Sequence, residues 1–398
     1  MKFAIKNIFC SLALAAMSAV GLTGCVTDGE GPDCPDRPDP EVDALVVSFR
    51  VAVPSPAASR AATPPVPDNG DAGWDWSDYL EGEEIEFENT LLARNFTVTL
   101  YNATDNSYLG RVTAFVLDKV TASTGTADYY EFRGVLELQN TNMTEAELGA
   151  ITAKMAITAN GEPTDAQKVA ALSATNGLAA LTFSKIGQQV DFDAIPMWGV
   201  ASKFLAGIKK GETFDFGDIS LLRSMAKIEV NFDRSATSAV KDLELTGVTM
   251  NRTNPSGYLF PGNWSGIAET TTLKFEETLR IPSGLTPSER SFPTLSENGA
   301  IIFYVPEIKN ATGNDEIKLT VGYKDADNAD HTGEIRFVKY GNDGKPVANS
   351  TPWDIIRNHH YSFTITQVPE ESTPGEFEVI WTVCDMDDGG IIKIPGFI

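Results

Sequence analysis

Residues 44–53 read Ala44-Leu45-Val46-Val47-Ser48-Phe49-Arg50-Val51-Ala52-Val53, with Pro40 upstream and Pro54 directly after. β-Branched and aromatic residues in a short run bounded by prolines predict one β-strand. Its flanks are unusual. Upstream lies an acidic, Pro-rich segment. Downstream lies a small-residue loop with one arginine, Ser55-Pro56-Ala57-Ala58-Ser59-Arg60-Ala61-Ala62-Thr63-Pro64-Pro65. Pro54, Pro56, Pro64, Pro65 and Pro67 oppose helix and central strand, so the loop is expected to be exposed. Proteolysis concentrates in exposed loops of small residues, so the strand is placed to be removable.

Working outward toward the N-terminus, residues 26–43 carry four prolines, Gly29, Gly31 and a row of acids, and are expected to be an extended tether. Residues 1–24 read as a secretion signal, with Lys2 and Lys6 before an apolar stretch, Ile8 to Val20, too short to span a bilayer. The signal ends Leu22-Thr23-Gly24-Cys25. A plain signal-peptidase site needs only small residues, whereas this order resembles a bacterial lipobox, in which Cys25 becomes the acylated N-terminus of the tether, 25–43. The alternative is a secreted protein with a chance cysteine. Acyl chains partition into membrane at ~0.8 kcal/mol per buried methylene, so a multiply acylated Cys25 would be a durable anchor.

The whole chain is 398 residues, 42% hydrophobic and 22% charged, with a formal net charge of -24. That length allows two ordinary domains after the leader. The charge argues against nucleic-acid partners, which require cationic surface to replace phosphate counterions. With Cys10 in the signal and Cys25 in the lipobox, only Cys34 and Cys384 remain, too few for a disulfide framework. His331, His359 and His360 have no metal-site spacing, and the adjacent pair would point to opposite faces of a strand.

Downstream, Trp74, Trp76 and Tyr79 sit in an acidic loop before an alternating Glu84-Ile85-Glu86-Phe87. Two tryptophans there fit either a carbohydrate-stacking platform or anchors of the loop on its own domain. Period-2 patterning then predicts strands at 95–102, with Phe96, Val98 and Leu100 on one face, and at 108–121 and 128–139. Two capping boxes, Thr144-Glu145-Ala146-Glu147 and Thr164-Asp165-Ala166-Gln167, predict helices to about Thr158 and Thr175. Ile195-Pro196-Met197-Trp198-Gly199 reads as a turn before a strand at 202–209.

The run Ile219 to Phe232 reads as the main central strand, too long to be flat, with a bend expected near Ser224 to Ala226. Further strands are expected at 242–250, 272–281, 300–306, 317–323, 334–338, 360–367 and 377–383, with polar turns between them. Short strands at this spacing indicate β-sandwiches. The expected fold is all-β: two sandwich domains in tandem, 44–222 with short helical insertions and 223–398.

No catalytic set is legible. There is no Gly-x-Ser-x-Gly elbow, phosphate loop or His-Glu-x-x-His. Glu83-Glu84 and Glu276-Glu277 carry little weight as glycosidase dyads in so acidic a chain. Asp325-Ala326-Asp327 and Asp385 to Gly390 resemble calcium loops only loosely, without the twelve-residue spacing, and read as hairpin tips. A non-enzyme without metal or cofactor is expected.

Four segments in order resemble the fimbrillin family, the subunits of type V pili on certain Gram-negative bacteria. They are the lipobox with its tether, Ile195-Pro196-Met197-Trp198-Gly199, Leu222-Arg223-Ser224-Met225-Ala226-Lys227-Ile228-Glu229-Val230, and Arg357-Asn358-His359-His360-Tyr361. The resemblance implies two transthyretin-like sandwiches, export as an outer-membrane lipoprotein, and removal of the first strand with its lipid by an arginine-specific protease. It implies that a strand from another copy or a related pilin subunit then fills the vacated place.

Carried onto this chain, the removable strand is 44–53, with Leu45, Val47, Phe49 and Val51 alternating. The scissile bond is Arg60-Ala61, with Arg50 as a competitor protected inside the strand. The donor is Phe377 to Ile398, ending in Ile391, Ile392, Ile394 and Phe397. That tail fits equally a last strand packed on its own domain or on the neighbouring sandwich. A surface lipoprotein that stays anchored and binds glycan or protein, through Trp74, Trp76 and Trp264, is the second hypothesis; an anchor subunit would fall between the two.

Overall fold

The computed structural model describes residues 44–54, 91, 96–121, 127–161, 177–270, 279–295, 299–341, 343–368 and 377–385. The described chain is built mostly of strands. Its first half contributes β1 (Val46–Pro54), β2 (Thr97–Asn102), β3 (Tyr108–Thr121), β4 (Ala127–Leu138), β5 (Thr152–Ala159), β6 (Thr182–Phe183), β7 (Met197–Phe204), β8 (Thr213–Ser220) and β9 (Leu222–Arg223). All but β6 form one eight-stranded sheet in the order β8-β1-β4-β3-β2-β5-β7-β9. The sheet curls until β7 touches β8. Inside the curl lies one apolar core, to which β1, β2, β4, β5 and β8 contribute Val47, Leu100, Leu136, Met155 and Phe216.

The second half contributes β10 (Ala226–Phe232), β11 (Glu244–Thr253), β12 (Gly257–Tyr258), β13 (Ser288–Pro293), β14 (Ile301–Val305), β15 (Lys318–Lys324), β16 (Asp330–Arg336), β17 (His359–Gln367) and β18 (Glu378–Asp385). Two four-stranded sheets, β14-β10-β17-β18 and β13-β11-β15-β16, share a second core that includes Ile228, Val248, Phe303, Val321, Ile335 and Phe363. β10 shows why. Its exposure alternates strictly, Ala226, Ile228, Val230 and Phe232 buried and Lys227, Glu229 and Asn231 half-buried, the period of a strand with one face in a core.

A third cluster, including Tyr101, Trp198, Met225, Phe260, Trp264 and Tyr304, lies between the halves. There β6 pairs with β12, and Gly187 bridges Tyr304. The chain crosses from one sheet to the next at Ser224-Met225, between β9 and β10, where a bend was expected in the run 219–232.

Several expectations are corrected. The first capping box forms, with the Glu147 amide donating to Thr144 Oγ1 at 3.2 Å and the Thr144 amide to Glu147 Oε2 at 2.8 Å. Yet its helix, α1 (Glu145–Leu148), ends at Gly149, and the alanine-rich segment that follows is β5. β5 lies between β2 and β7 and is buried along nearly its whole length. A strand buried on both faces loses its alternation, and small side chains fit between packed layers. The second capping box falls on residues outside those described.

The turn read at 195–199 is the start of β7, because a proline just ahead of a strand withholds no ladder hydrogen bond. β7 ends at Phe204, short of 209. β13, and β8 before Ile219, were not read, and most of the strand expected at 272–281 lies outside the described residues.

Candidate functional site: the bed of the first strand

β1 is hydrogen-bonded on both sides. It runs antiparallel to β4, from Val46 opposite Val135 to Pro54 opposite Ala127. It runs parallel to β8, from Val46 opposite Thr213 to Ala52 opposite Ser220. Just before β1, the Leu136 amide donates to Leu45 O at 2.8 Å and Gly211 to Ala44 O at 2.9 Å, and beyond the end of β8 the Leu221 amide donates to Ala52 O at 2.9 Å. In the sheet order β8 has no other strand neighbour among the described residues. Taking β1 away would therefore leave one side of β4 and the whole of β8 without a ladder.

The inward face is Leu45, Val47, Phe49 and Val51, all buried. Full burial of such a side chain is worth about 1.5–3 kcal/mol, so the four hold the strand by roughly 6–12 kcal/mol before the cost of ordering it. Phe49 is the centre of this face. Its ring stacks on Phe132 with centroids 5.6 Å apart and on Phe96 at 6.3 Å, while Phe96 and Phe132 lie 4.8 Å apart.

Opposite Phe49 the β1–β8 register shifts, with Ser48 facing Asp215 and Arg50 facing Asp218. The extra β8 residue is a bulge, and Gly217 takes the φ of +95° there, a left-handed conformation that glycine adopts without a Cβ penalty. The bulge brings Asp218 to the outward Arg50, whose Nε and Nη2 donate to its two carboxylate oxygens at 2.7 and 2.5 Å.

The other segments that carried the resemblance meet at the junction of the halves. The Asn358 amide donates to Met225 O at 2.7 Å, and the Arg223 amide donates to Asn358 Oδ1 at 3.1 Å. Arg357 Nη2 donates to Glu307 Oε2 at 2.7 Å and Nη1 to Leu259 O at 2.8 Å. His359 Nδ1 donates to Arg357 O at 2.5 Å, and burial pulls the imidazole down to about 4.

Leu45, Val47, Phe49 and Val51 thus share one bed. Cys25, Arg60, Ala61, Trp74, Trp76, Ile391, Ile392, Ile394 and Phe397 lie outside the described residues. Of the donor segment expected at Phe377 to Ile398, only residues 377–385 are described. Phe377 is buried in the second core, and β18 pairs with β17 along its length as an edge strand of that sheet. Trp264 is corrected. It is buried against Tyr101 and Phe260 at 5.3 and 5.4 Å and offers no platform to a sugar. The partners β8, Phe132 and Asp218 were missed, although Thr213-Phe214-Asp215-Phe216 alternates as a strand does.

No family model and no curated protein matches the chain. Among solved structures, it is similar to the tip fimbrial protein Mfa3 of Porphyromonas gingivalis, in a C-terminally truncated form. That match has 13% identity and a TM-score of 0.47, covering 85% of this chain and 99% of the other. It is also similar to a fimbrial assembly protein of Parabacteroides distasonis, at 14% identity and a TM-score of 0.46, covering 87% and 98%.

Proposed function

We propose that this chain is a non-catalytic structural subunit of a cell-surface fimbria, made of two tandem transthyretin-like sandwiches that divide at 222/223. In this reading it is exported as an outer-membrane lipoprotein on Cys25, cut at Arg60-Ala61 by an arginine-specific protease, and joined to other subunits by strand exchange. The observation that carries the reading is the placement of β1. It is the first described strand, it completes the first core, and it is followed in sequence by the segment that carries Arg60. Cleavage there cuts its covalent link to the rest of the chain. An incoming strand would restore the two ladders and refill the inward pockets, the physics of strand addition.

The test is treatment of the full-length protein with an arginine-specific protease. A new N-terminus at Ala61, loss of β1 and detergent-resistant multimers are expected, with Arg60→Ala blocking all three. Multimers formed by Arg60→Ala, or β1 and Cys25 lipid retained in the mature surface protein, would overturn the exchange mechanism; the second outcome would favour a permanently anchored subunit.

A further inference from the structure

The bed of β1 also records what can take its place. The ring of Phe49 packs in a triangle with the nearly parallel rings of Phe96 and Phe132, and these two stay behind if β1 leaves. Removing Phe49 alone leaves the slot its own ring occupied beside the nearly parallel rings of Phe96 and Phe132. An aliphatic side chain would fill that slot incompletely, and voids beside rings forfeit dispersion contacts. Val47 and Val51, both fully buried, flank it at strand spacing, and Asp218 stands at the outer edge one residue further along. A strand that reproduces these ladders runs as β1 runs, antiparallel to β4 and parallel to β8.

We propose that the bed selects a strand from a different subunit. That strand carries an aromatic residue in register with Phe132, branched aliphatic residues two positions to either side, and a basic residue directly after the aromatic. The proposal rests on the reading that β1 is exchanged, and it names the partner's chemistry. Once 44–53 has been removed, the C-terminal tail of a second copy does not supply it. The segment left after β18 is Met386-Asp387-Asp388-Gly389-Gly390-Ile391-Ile392-Lys393-Ile394-Pro395-Gly396-Phe397-Ile398. In an extended strand Ile392 and Ile394 share a face with Gly390, Gly396 and Ile398, so that face has no aromatic side chain. The other face carries Phe397, together with Lys393 and Pro395. Pro395 also withholds one ladder amide.

The test adds labelled ten-residue peptides of the 44–53 sequence to the full-length protein after cleavage at Arg60, and follows their incorporation by native mass spectrometry and competition. The unaltered peptide is expected to enter. A Phe49→Ala peptide is expected to compete on the order of a hundredfold less well, the scale of a lost buried ring. An Arg50→Glu peptide should lose a few-fold, and should regain it on an Asp218→Lys protein. A peptide of residues 386–398 should compete at least as poorly as Phe49→Ala. Equal competition by the Phe49→Ala or the 386–398 peptide would overturn the selection while leaving exchange intact. If no peptide of any sequence enters and β1 stays bound, strand exchange itself fails, and the selection with it.

Discussion

Glu307 and Arg357 meet as an ion pair almost entirely removed from solvent, Oε2 to Nη2 at 2.7 Å with side chains 2% and 1% exposed. The pair lies where the two halves join. The Asn254 side chain donates to Glu307 O at 2.6 Å, and the Ser224 hydroxyl donates to Leu259 O, which also accepts from Arg357. Buried pairs of this kind add little over a well-packed apolar pair, but breaking one leaves a charge stranded. Glu307→Ala is therefore expected to lower unfolding stability by about 3–5 kcal/mol, whereas the double change Glu307→Met with Arg357→Met recovers most of it. Urea unfolding of the three variants checks this; equal losses in the single and double variants would contradict it.

His359 sits beside that pair, its ring 6.3 Å from the Tyr361 ring and its Nδ1 proton on the Arg357 carbonyl. Burial lowers its pKa from 6.5 to about 4. An imidazole held neutral in the fold takes up its proton first in the unfolded chain. Its contribution is therefore complete above about pH 6.5 and is lost progressively as pH falls toward 4. The full span is worth roughly 3 kcal/mol. The difference between wild type and His359→Gln in unfolding stability should shrink over that window; a difference constant between pH 7.5 and 4.5 would refute the assignment.

Gly199 lies in β7 where the first sheet closes on itself. A Cβ there would stand 2.5 Å from the Ser220 carbonyl and 2.7 Å from Leu221 Cδ2. The carbonyl belongs to backbone that cannot rotate aside, so Gly199→Ala is expected to cost about 1–3 kcal/mol, the scale of overpacking. Gly266 has nothing within 4 Å of the corresponding position, and Gly266→Ala should stay within about 0.5 kcal/mol of wild type. Thermal midpoints of the two variants separate the cases.

Much of the strand content was legible because exposure alternates along it. β10 alternates perfectly, and β1 announces itself by β-branched residues between prolines. β5 was read as a helix because its neighbours bury it on both faces, so no polar face is left to set a period. The start of β7 was read as a turn because Pro-Met-Trp-Gly is turn-like in composition. In the fold, Trp198 fills the cluster between the halves and Gly199 permits the close approach to Ser220.

The sequence by itself determined a strand with one apolar face at about Ala44 to Val53, which the fold places at Val46–Pro54. Those are local properties: side-chain shape, alternation and proline placement act over a few residues. Only the tertiary structure decided that β1 runs parallel to β8, that Phe49 packs in a triangle with Phe96 and Phe132, and that Arg50 meets Asp218 across a bulge. Pairing partners lie far along the chain, and nothing in ten residues encodes which distant backbone will satisfy their amides. The same holds for Trp264, Phe377 and the Glu307–Arg357 pair, whose surroundings are set by which sheets stack and which segments cross between them.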